Sequence, residues 1–160
     1  MTVRAGVLTI STSKARGEGE DESGPRLATL ATGIGAEVVS SEVIADDCDL
    51  IEDRLRFLAD QLRCDLVLTS GGTGVAPFDV TPEATLAVIE REAPGIAEAM
   101  RAASREHTRH WMLSRGVAGI RGSTLIVNFP GNPASIEQAG AAIADALPHA
   151  LALIAGHHPH

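Results

Sequence analysis

The chain has 160 residues, 44% of them hydrophobic, which is enough for one domain with a substantial core and too few for two comfortable ones. A formal net charge of −8 and an aromatic content of 2% argue against nucleic acid as a partner. No apolar run reaches the length of a membrane span and the N-terminus lacks a signal-peptide layout, so we expect a cytoplasmic protein without a membrane segment. Cys48 and Cys64 lack metal-ligand spacing and are expected to be free thiols or small core residues.

Strands and helices alternate in the N-terminal third of the chain. Hydrophobic patterning predicts buried strands at 3–11 and 36–44 and helices at 25–34 and about 49–63. Residues 12–24 are polar, charged and without periodicity, which predicts a long mobile loop, with an inert surface loop as the plainer alternative. Asp46 and Asp47 follow the second strand, where they could simply cap the next helix.

The most informative stretch is an apolar strand at 65–69 that runs into the glycine-rich segment Ser70, Gly71, Gly72, Thr73 and Gly74. Its glycines permit backbone with positive φ and let a ligand approach the main chain closely. Farther on, Thr81 suits an N-cap, Pro82 the first helical position and Glu83 the positive end of the helix dipole. Amides, hydroxyls and a helix N-terminus therefore converge, which predicts an anion site with phosphate as the expected ligand, rather than a bare turn.

Asp79 lies inside this predicted anion site. A carboxylate there would repel a phosphate unless a cation lies between them, so we predict that Mg²⁺ bridges Asp79 to phosphate oxygens. The turn at Asp46 also follows a predicted strand and precedes a helix. In an open parallel sheet both turns would lie at the same, carboxyl-terminal edge.

The C-terminal half continues the alternation, with helices predicted at 82–91, about 95–107 and from Pro133 to about Ala155. Pro148 should kink or break the last of these helices. Within 112–135, two strands joined at Arg121 and Gly122 form a predicted tight hairpin. His107 and His110 are spaced like metal ligands on a helix, but no third ligand is near, so an exposed surface position is the better interpretation.

Together these elements predict an α/β fold, a three-layer α/β/α arrangement around a mostly parallel sheet with one antiparallel hairpin. We expect a single domain over residues 1–156, followed by a His-containing tail at 157–160. Asn132 is predicted to cap the final helix and Pro133 to begin it.

Three short motifs in this chain resemble those of the Mog and MoaB proteins and the G domain of gephyrin. They are Gly-Gly-Thr-Gly at 71–74, Asp-Val-Thr-Pro-Glu-Ala-Thr at 79–85 and Pro-Gly-Asn-Pro at 130–133. Two positions depart from the family pattern, because Thr12 stands where an Asp is common and Phe78 where many of the bacterial enzymes have Arg. The resemblance covers nearly the whole chain and implies the molybdopterin-binding fold.

The resemblance also implies a function, molybdopterin adenylyltransferase, which uses ATP and Mg²⁺ to make adenylyl-molybdopterin and pyrophosphate. Asp46 and Asp79 are then the catalytic pair that holds Mg²⁺, and Arg115 is the guanidinium expected for a phosphate. The remaining implied substrate-binding residues are Ser11, Ser70, Gly71, Gly72, Thr73, Gly74, Ser114, Pro130, Gly131, Asn132 and Pro133.

Two other functions are compatible with parts of this pattern. One is a non-catalytic molybdopterin-binding protein of the MoaB type, since Phe78 removes one phosphate contact. The other is a flavodoxin-like nucleotide-binding domain, against which the scarcity of aromatic residues and the lack of a dinucleotide fingerprint count. The retained acidic pair favours the enzyme.

The resemblance further implies a homo-oligomer, a trimer, and handover of the product to a molybdate-insertion protein. The final predicted helix adds support because it is apolar over more than one face, at Ala139, Ala141, Ala142, Ile143, Ala146 and Leu147.

Overall fold

The structure is a computed structural model and describes residues 2–158. Its strands are β1 (Val3–Ile10), β2 (Ala36–Ile44), β3 (Leu66–Ser70), β4 (Arg91–Glu92), β5 (Ala118–Arg121) and β6 (Thr124–Phe129). Its helices are α1 (Thr12–Ala15), α2 (Ser23–Gly33), α3 (Cys48–Arg56), α4 (Thr81–Val88), α5 (Pro94–Ser104), α6 (Pro133–Ile143) and α7 (Leu147–Ile154). Of the predicted tail at 157–160, Pro159 and His160 lie outside the described residues.

One six-stranded sheet joins these strands in the order β2-β1-β3-β6-β5-β4. The first four are parallel neighbours, and β5 and β4 add as antiparallel strands at one side. Leu66 and Leu68 belong to one core cluster and Val67 to the other, so β3 is buried on both faces. Helices α2, α5, α6 and α7 cover one face, and α3 and α4 cover the other. The predicted three-layer α/β/α fold with a mostly parallel sheet is confirmed.

The pairing register brings the carboxyl ends of the parallel strands together. Ile10 pairs with Ile44, and Ser70 pairs with both Thr9 and Phe129. The loops that leave β1, β2, β3 and β6 therefore begin side by side at one edge of the sheet. In open α/β sheets this edge is where ligands bind.

A buried asparagine ties the middle of the sheet to its surroundings. Asn128 on β6 pairs with Thr69 on β3, and its Nδ2 donates to Thr69 Oγ1 at 3.1 Å and to Thr85 Oγ1 of α4 at 3.0 Å. Its Oδ1 accepts the Val117 amide at 3.1 Å. Both amide hydrogens thus have acceptors, as a buried polar group requires.

The loop predicted at 12–24 is wrong at both ends, because polar side chains cap helices there. Ser11 Oγ accepts the Lys14 amide at 3.3 Å and caps α1. Asp21 Oδ1 accepts the amides of Ser23 and Gly24 at 3.1 and 3.0 Å, so α2 begins two residues before the predicted start. Only residues 16–22 lie outside helices in this stretch.

Three predicted helices end earlier than expected. α3 ends at Arg56 and continues as the π-helical turn Phe57–Gln61, and the positive φ of 53° at Arg63 stops the helix. α4 ends at Val88 because the chain enters β4, an edge strand that the sequence pattern did not predict. α5 ends at Ser104, before His107.

The C-terminal predictions hold more closely. The hairpin of β5 and β6 turns at Gly122, and Asn132 caps α6 by accepting the Ala134 amide at 2.9 Å. The final helix is interrupted between α6 and α7, with Pro148 in the first turn of α7, which confirms the predicted break. Within the described residues, no helix combines the length and the apolar character needed to cross a bilayer.

Both cysteines are free thiols, as predicted. Cys64 is buried next to β3, and burial raises the pKa of its thiol to about 11. Cys48 begins α3, and desolvation together with a hydrogen bond to Glu52 raises its pKa as well. Neither thiol has the low pKa of a reactive nucleophile.

Candidate functional site

The glycine-rich loop after β3 adopts the backbone that its sequence predicts. Gly71 and Gly72 have φ of 96° and 68°, in the left-handed region that favours glycine. A Cβ at Gly71 would collide with the carbonyl oxygen of Ile10, and one at Gly72 would collide with Thr81 Oγ1. The loop therefore packs against both β1 and α4 at a distance that only glycine permits.

Thr81 lies one position farther into α4 than predicted. It is the first residue of the helix, preceded by Val80, and its hydroxyl does not cap the helix. Thr81 Oγ1 donates instead to the Gly71 carbonyl at 2.9 Å, and the Thr81 amide donates to the Gly72 carbonyl at 3.1 Å. The side chain thus fastens the glycine loop to the start of α4, so its hydroxyl shapes the glycine loop rather than the helix end.

Asp46 is held in a reciprocal hydrogen-bonded turn with Thr12. Asp46 Oδ2 accepts from both the amide and the hydroxyl of Thr12 at 3.0 Å, and the Asp46 amide donates back to Thr12 Oγ1 at 3.0 Å. Asp47, not Asp46, caps α3 by accepting the Leu50 amide at 3.0 Å. The capping alternative therefore applies to Asp47 alone.

Asp79 is held by a similar reciprocal contact within its own turn. Its Oδ2 accepts the Ala76 amide at 3.0 Å, and its amide donates to the Ala76 carbonyl at 3.0 Å. A Cβ at Gly74 would lie 2.8 Å from Asp79 Oδ2, so this carboxylate lies directly beside the glycine loop.

The two carboxylates flank the same loop. Asp46 Oδ1 lies 3.1 Å from the position of a Cβ at Gly72, while Asp79 abuts Gly74. In the part of the chain that the structure describes, each carboxylate has one oxygen fixed by hydrogen bonds and a second that accepts none. Free carboxylate oxygens beside a phosphate-type loop suit Mg²⁺, which commonly takes one or two protein carboxylates and completes its shell with water and phosphate. The donor set therefore fits the predicted ion.

No larger acidic or histidine cluster competes with this pair. Among residues 2–158, no group of three or more His, Cys, Asp or Glu side chains is placed to hold a metal. The His-x-x-His spacing of His107 and His110 therefore gains no further ligand, and both side chains are exposed, as the surface interpretation predicted.

A cavity of about 410 Å³ opens beside the loop, between the strand ends and α5. Eight of the predicted site residues line it: Gly72, Thr73, Gly74, Asp79, Ser114, Pro130, Gly131 and Asn132. The loops after β3 and β6 touch, since Ser70 Oγ donates to the Pro130 carbonyl at 3.2 Å and the Gly71 amide donates to Phe129 O at 3.1 Å. The two predicted binding loops thus form one continuous wall.

Six of the predicted site residues do not reach the cavity surface. Ser11, Asp46, Ser70, Gly71, Arg115 and Pro133 are not among the residues that line the cavity. Ser11 caps α1 and Pro133 begins α6, so each supports a helix that starts at the site. Phe78, which stands in place of a common Arg, is 64% exposed.

Arg115 is engaged with the protein rather than presented to the cavity. Its guanidinium pairs with both carboxylate oxygens of Glu83, at 2.7 and 3.2 Å. This pairing lowers the pKa of Glu83 and raises that of Arg115. Glu83 therefore already occupies the guanidinium that the family resemblance assigns to a substrate phosphate.

The sequence did not predict the wall of the cavity that α5 and the following turn provide. Met100, Arg101 and Ser104 of α5 line it, with His110 and Trp111 just beyond. Arg101 donates to the carbonyls of Ser114 and Gly116 at 3.4 and 2.8 Å, which fixes the segment leading into β5. Met100 is buried, and nothing in the local sequence indicated that this part of α5 faces a cavity.

A glycine loop flanked by two carboxylates at the carboxyl edge of a mostly parallel sheet defines the class: an α/β protein whose ligand site lies at the strand ends. Residues 6–149 match a family model described as a probable molybdopterin binding domain. The chain therefore belongs to that family.

Curated relatives resemble the chain over most of its length. It is 40% identical to the molybdopterin adenylyltransferase of Helicobacter pylori strain J99 over 159 residues, which is 98% of this chain and 90% of the relative. It is 42% identical to the molybdopterin adenylyltransferase of Escherichia coli strain K12 over 147 residues, covering 91% of this chain and 75% of the relative.

A solved structure resembles this chain in both fold and sequence. The molybdopterin biosynthesis enzyme MoaB of Thermus thermophilus superimposes with a TM-score of 0.91 at 44% identity, covering 97% of this chain and 98% of that one. The predicted Mog and MoaB resemblance is confirmed.

Proposed function

We propose that the chain is a nucleotidyltransferase of molybdenum cofactor biosynthesis that adenylylates molybdopterin with ATP, releasing pyrophosphate. The observation that carries the proposal is the pair of carboxylates on one glycine loop, in a chain about 40% identical to named adenylyltransferases over nearly its whole length. A non-catalytic binding protein would need the loop and the cavity but would have no use for two ordered carboxylates beside them.

The reaction suits this site because nucleotidyl transfer depends on positioning and charge neutralisation more than on covalent help from the protein. Asp46 and Asp79 would hold Mg²⁺, which, when bound, neutralises charge on the triphosphate. The amides of Gly72, Thr73 and Gly74 and the Thr73 hydroxyl are the proposed binding groups for anionic substrate oxygens. Ser114 and the loop at 130–133, which continues the same wall of the cavity, would orient the second substrate.

Local contacts must attract these anions, since the formal net charge of the chain is −8. The proposed site uses fixed amides and a bound cation rather than a basic surface. We therefore expect binding to require the divalent ion and to weaken when it is chelated.

The direct test is to incubate purified protein with molybdopterin, ATP and Mg²⁺ and to look for adenylyl-molybdopterin and pyrophosphate. We expect both products in equal amounts, and none in a matched sample that contains a chelator. Tight molybdopterin binding without product at any Mg²⁺ concentration would contradict the proposal and favour the binding protein.

We also propose that the chain forms a trimer. Of the six apolar residues in the predicted final helix, Ala139, Ile143 and Leu147 are buried within the chain's own core. Two of the exposed ones, Ala142 and Ala146, line an apolar groove of about 380 Å³ between α5 and the α6–α7 segment. Small side chains there allow close approach of another element, and an obligate interface would bury on the order of 2,000 Å² or more in total.

Light scattering at micromolar concentration tests this state. Ala146→Arg places a charge in the groove and should lower the mass to that of one chain, whereas Ala102→Arg, on an exposed position of α5 outside the groove, should not. A wild-type mass of one chain would refute oligomerisation, and a stable dimer would refute the trimer.

The proposal includes a cytoplasmic location and transfer of the product to a molybdate-insertion protein, both expected from the family resemblance. Cell fractionation tests the first. Cross-linking to a purified insertion protein, with and without bound product, tests the second.

A further inference from the structure

The loop that carries Asp79 is closed by one guanidinium from a distant part of the chain. Arg115 Nε donates to the Gly74 carbonyl at 2.7 Å, and Arg115 Nη2 donates to the Asp79 carbonyl at 2.7 Å. These carbonyls are the two ends of the 74–79 loop. The Arg115 amide also donates to the Thr73 carbonyl at 2.7 Å, so the backbone and the side chain of one residue grip the same segment.

Glu83 fixes this guanidinium from its other side. Its two carboxylate oxygens accept from Nη1 and Nη2 of Arg115, the bidentate arrangement that carboxylates form with a planar guanidinium fork. Glu83 lies in the first turn of α4, the helix that begins just after Asp79. Arg115 thus joins both ends of the loop to the start of the following helix.

This arrangement leaves little of Arg115 for a substrate. A guanidinium has five N–H donors, and the contacts to Gly74, Asp79 and Glu83 use four of them. Arg115 does not line the cavity, whereas Asp79 does. A phosphate that bound the guanidinium through two N–H groups would therefore have to displace Glu83 or a loop carbonyl.

We infer that Arg115, locked by Glu83, is a positioning residue that holds the Asp79 loop in its reactive geometry, rather than a ligand for substrate phosphate. The inference rests on the proposed adenylyl transfer for its kinetic consequence. The requirement is geometric, since a carboxylate displaced by about 1 Å from its working position can cost about 10²-fold in rate.

The distinguishing variant is Arg115→Lys, which keeps the positive charge but loses the planar fork. A positioning role predicts a fall in kcat of about 10²-fold with less than about a threefold change in the KM for ATP. A phosphate-ligand role predicts the opposite, a raised KM with kcat retained.

The chain offers a matched control in Arg121. Arg121 also makes a bidentate pair with a carboxylate, that of Asp60, at 3.1 and 2.7 Å, and donates to a carbonyl, that of Val88, at 2.9 Å. It does not line the cavity. Arg121→Lys removes an equivalent set of contacts, so we expect kcat within about twofold of the wild type.

Amide hydrogen exchange gives a readout that does not depend on the reaction. The amides of Ala76 and Asp79 are hydrogen-bonded within the loop, and that of Thr81 bonds to the Gly72 carbonyl next to it, so all three report on the order of the loop. In Arg115→Lys and Glu83→Gln these amides should exchange about tenfold faster or more, while those of β1 and β3 stay protected. In Arg121→Lys they should exchange as in the wild type.

The outcomes separate the two claims. Unchanged exchange at these three amides in Arg115→Lys, or a raised KM for ATP with wild-type kcat, would overturn the positioning role. Absence of adenylyl product from the wild-type protein would refute the proposed function, and the exchange data would still decide whether Arg115 holds the loop.

Discussion

The turns that carry Asp46 and Asp79 flank one glycine loop but are supported in different ways. At the first turn the carboxylate itself is held, because Thr12 gives Asp46 Oδ2 two hydrogen bonds and receives one from the main chain. At the second turn the carboxylate takes a single bond from Ala76, and the loop is held through its carbonyls by Arg115.

This difference shows that an acidic pair can be ordered by two physically distinct routes. A neutral hydroxyl next to Asp46 orients the carboxylate without adding charge. A charged guanidinium behind Asp79 orients the loop and leaves the carboxylate nearly free. Damage to the first support should therefore act on one side chain, while damage to the second should act on a whole loop.

The largest expected effect comes from removing either charge. Asp46→Asn and Asp79→Asn should keep the fold and molybdopterin binding but lower adenylylation by about 10²-fold or more, the loss typical of removing a main electrostatic stabiliser. Steady-state kinetics with circular dichroism as the folding control measures this. Wild-type turnover in both variants would remove the acidic pair from the mechanism.

The next effect tests the loop that the two turns share. Gly72→Val forces a branched side chain into a φ of 68°, against Thr81 and 3.1 Å from Asp46 Oδ1. We expect at least a tenfold loss of molybdopterin affinity by calorimetry and a loss of about 1–3 kcal/mol in unfolding free energy. Gly33→Val, where nothing lies within 4 Å and φ is not positive, is the matched control. Unchanged affinity in a folded Gly72→Val would mean that ligands do not approach this backbone.

A smaller effect is expected from removing the Thr12 hydroxyl, which holds Asp46 in place. Thr12→Val keeps the shape of the side chain but removes the hydroxyl that both donates to and accepts from Asp46. We expect a loss of about 1 kcal/mol in unfolding free energy and about tenfold in kcat. Thr12→Ser, which retains the hydroxyl, should restore most of both. Equal kinetics for the valine and serine variants would show that the hydroxyl does not orient Asp46.

The smallest expected effect is a pH dependence of the unfolding free energy, which arises from the pair of Arg115 and Glu83 behind the Asp79 loop. Arg115 lowers the pKa of Glu83 below its ordinary value of 4.5, so the folded state binds this proton less readily than the unfolded chain. The resulting stabilisation is present above that value and is lost as the pH falls through the lowered pKa. Because the Glu83 side chain is 51% exposed, this stabilisation is modest.

Melting temperatures of the wild type and Glu83→Gln, measured across the acid range, test this linkage. The wild type should melt higher above the ordinary pKa of glutamate, and the two curves should converge at lower pH. A constant difference at every pH would show that the pair does not contribute through charge.

Local signals predicted much of the fold and of the site. The strand at 36–44 and the hairpin at Gly122 are correct, and the glycine loop after β3 has the positive φ values that its glycines indicated. Each of these features depends on residues within a few positions of one another, where turn and capping preferences are strong.

The sequence did not predict the features that depend on contacts between distant parts of the chain. Nothing near Arg115 indicates that Glu83, 32 residues earlier, takes its guanidinium. The two-residue strand β4 exists only because β5 pairs with it, and the cavity wall from α5 depends on how that helix packs against α6. The local sequence pattern predicts which residues carry reactive or ligand-binding groups, whereas tertiary packing decides which of them a ligand can reach.

Asn128 has a consequence for how the central sheet assembles. Its amide finds partners on β3, on α4 and before β5 only when β6 pairs with β3 in the observed alignment. Sliding β6 by one residue would turn this side chain to the opposite face and bury it among hydrocarbon with its hydrogen bonds unmade. Leu, Ile and Val fill most of the interior of β3 and β6, and these side chains alone would tolerate several alignments. The Asn128 side-chain amide therefore specifies the register of β6 against β3. The contact between the loops that leave these two strands depends on that register.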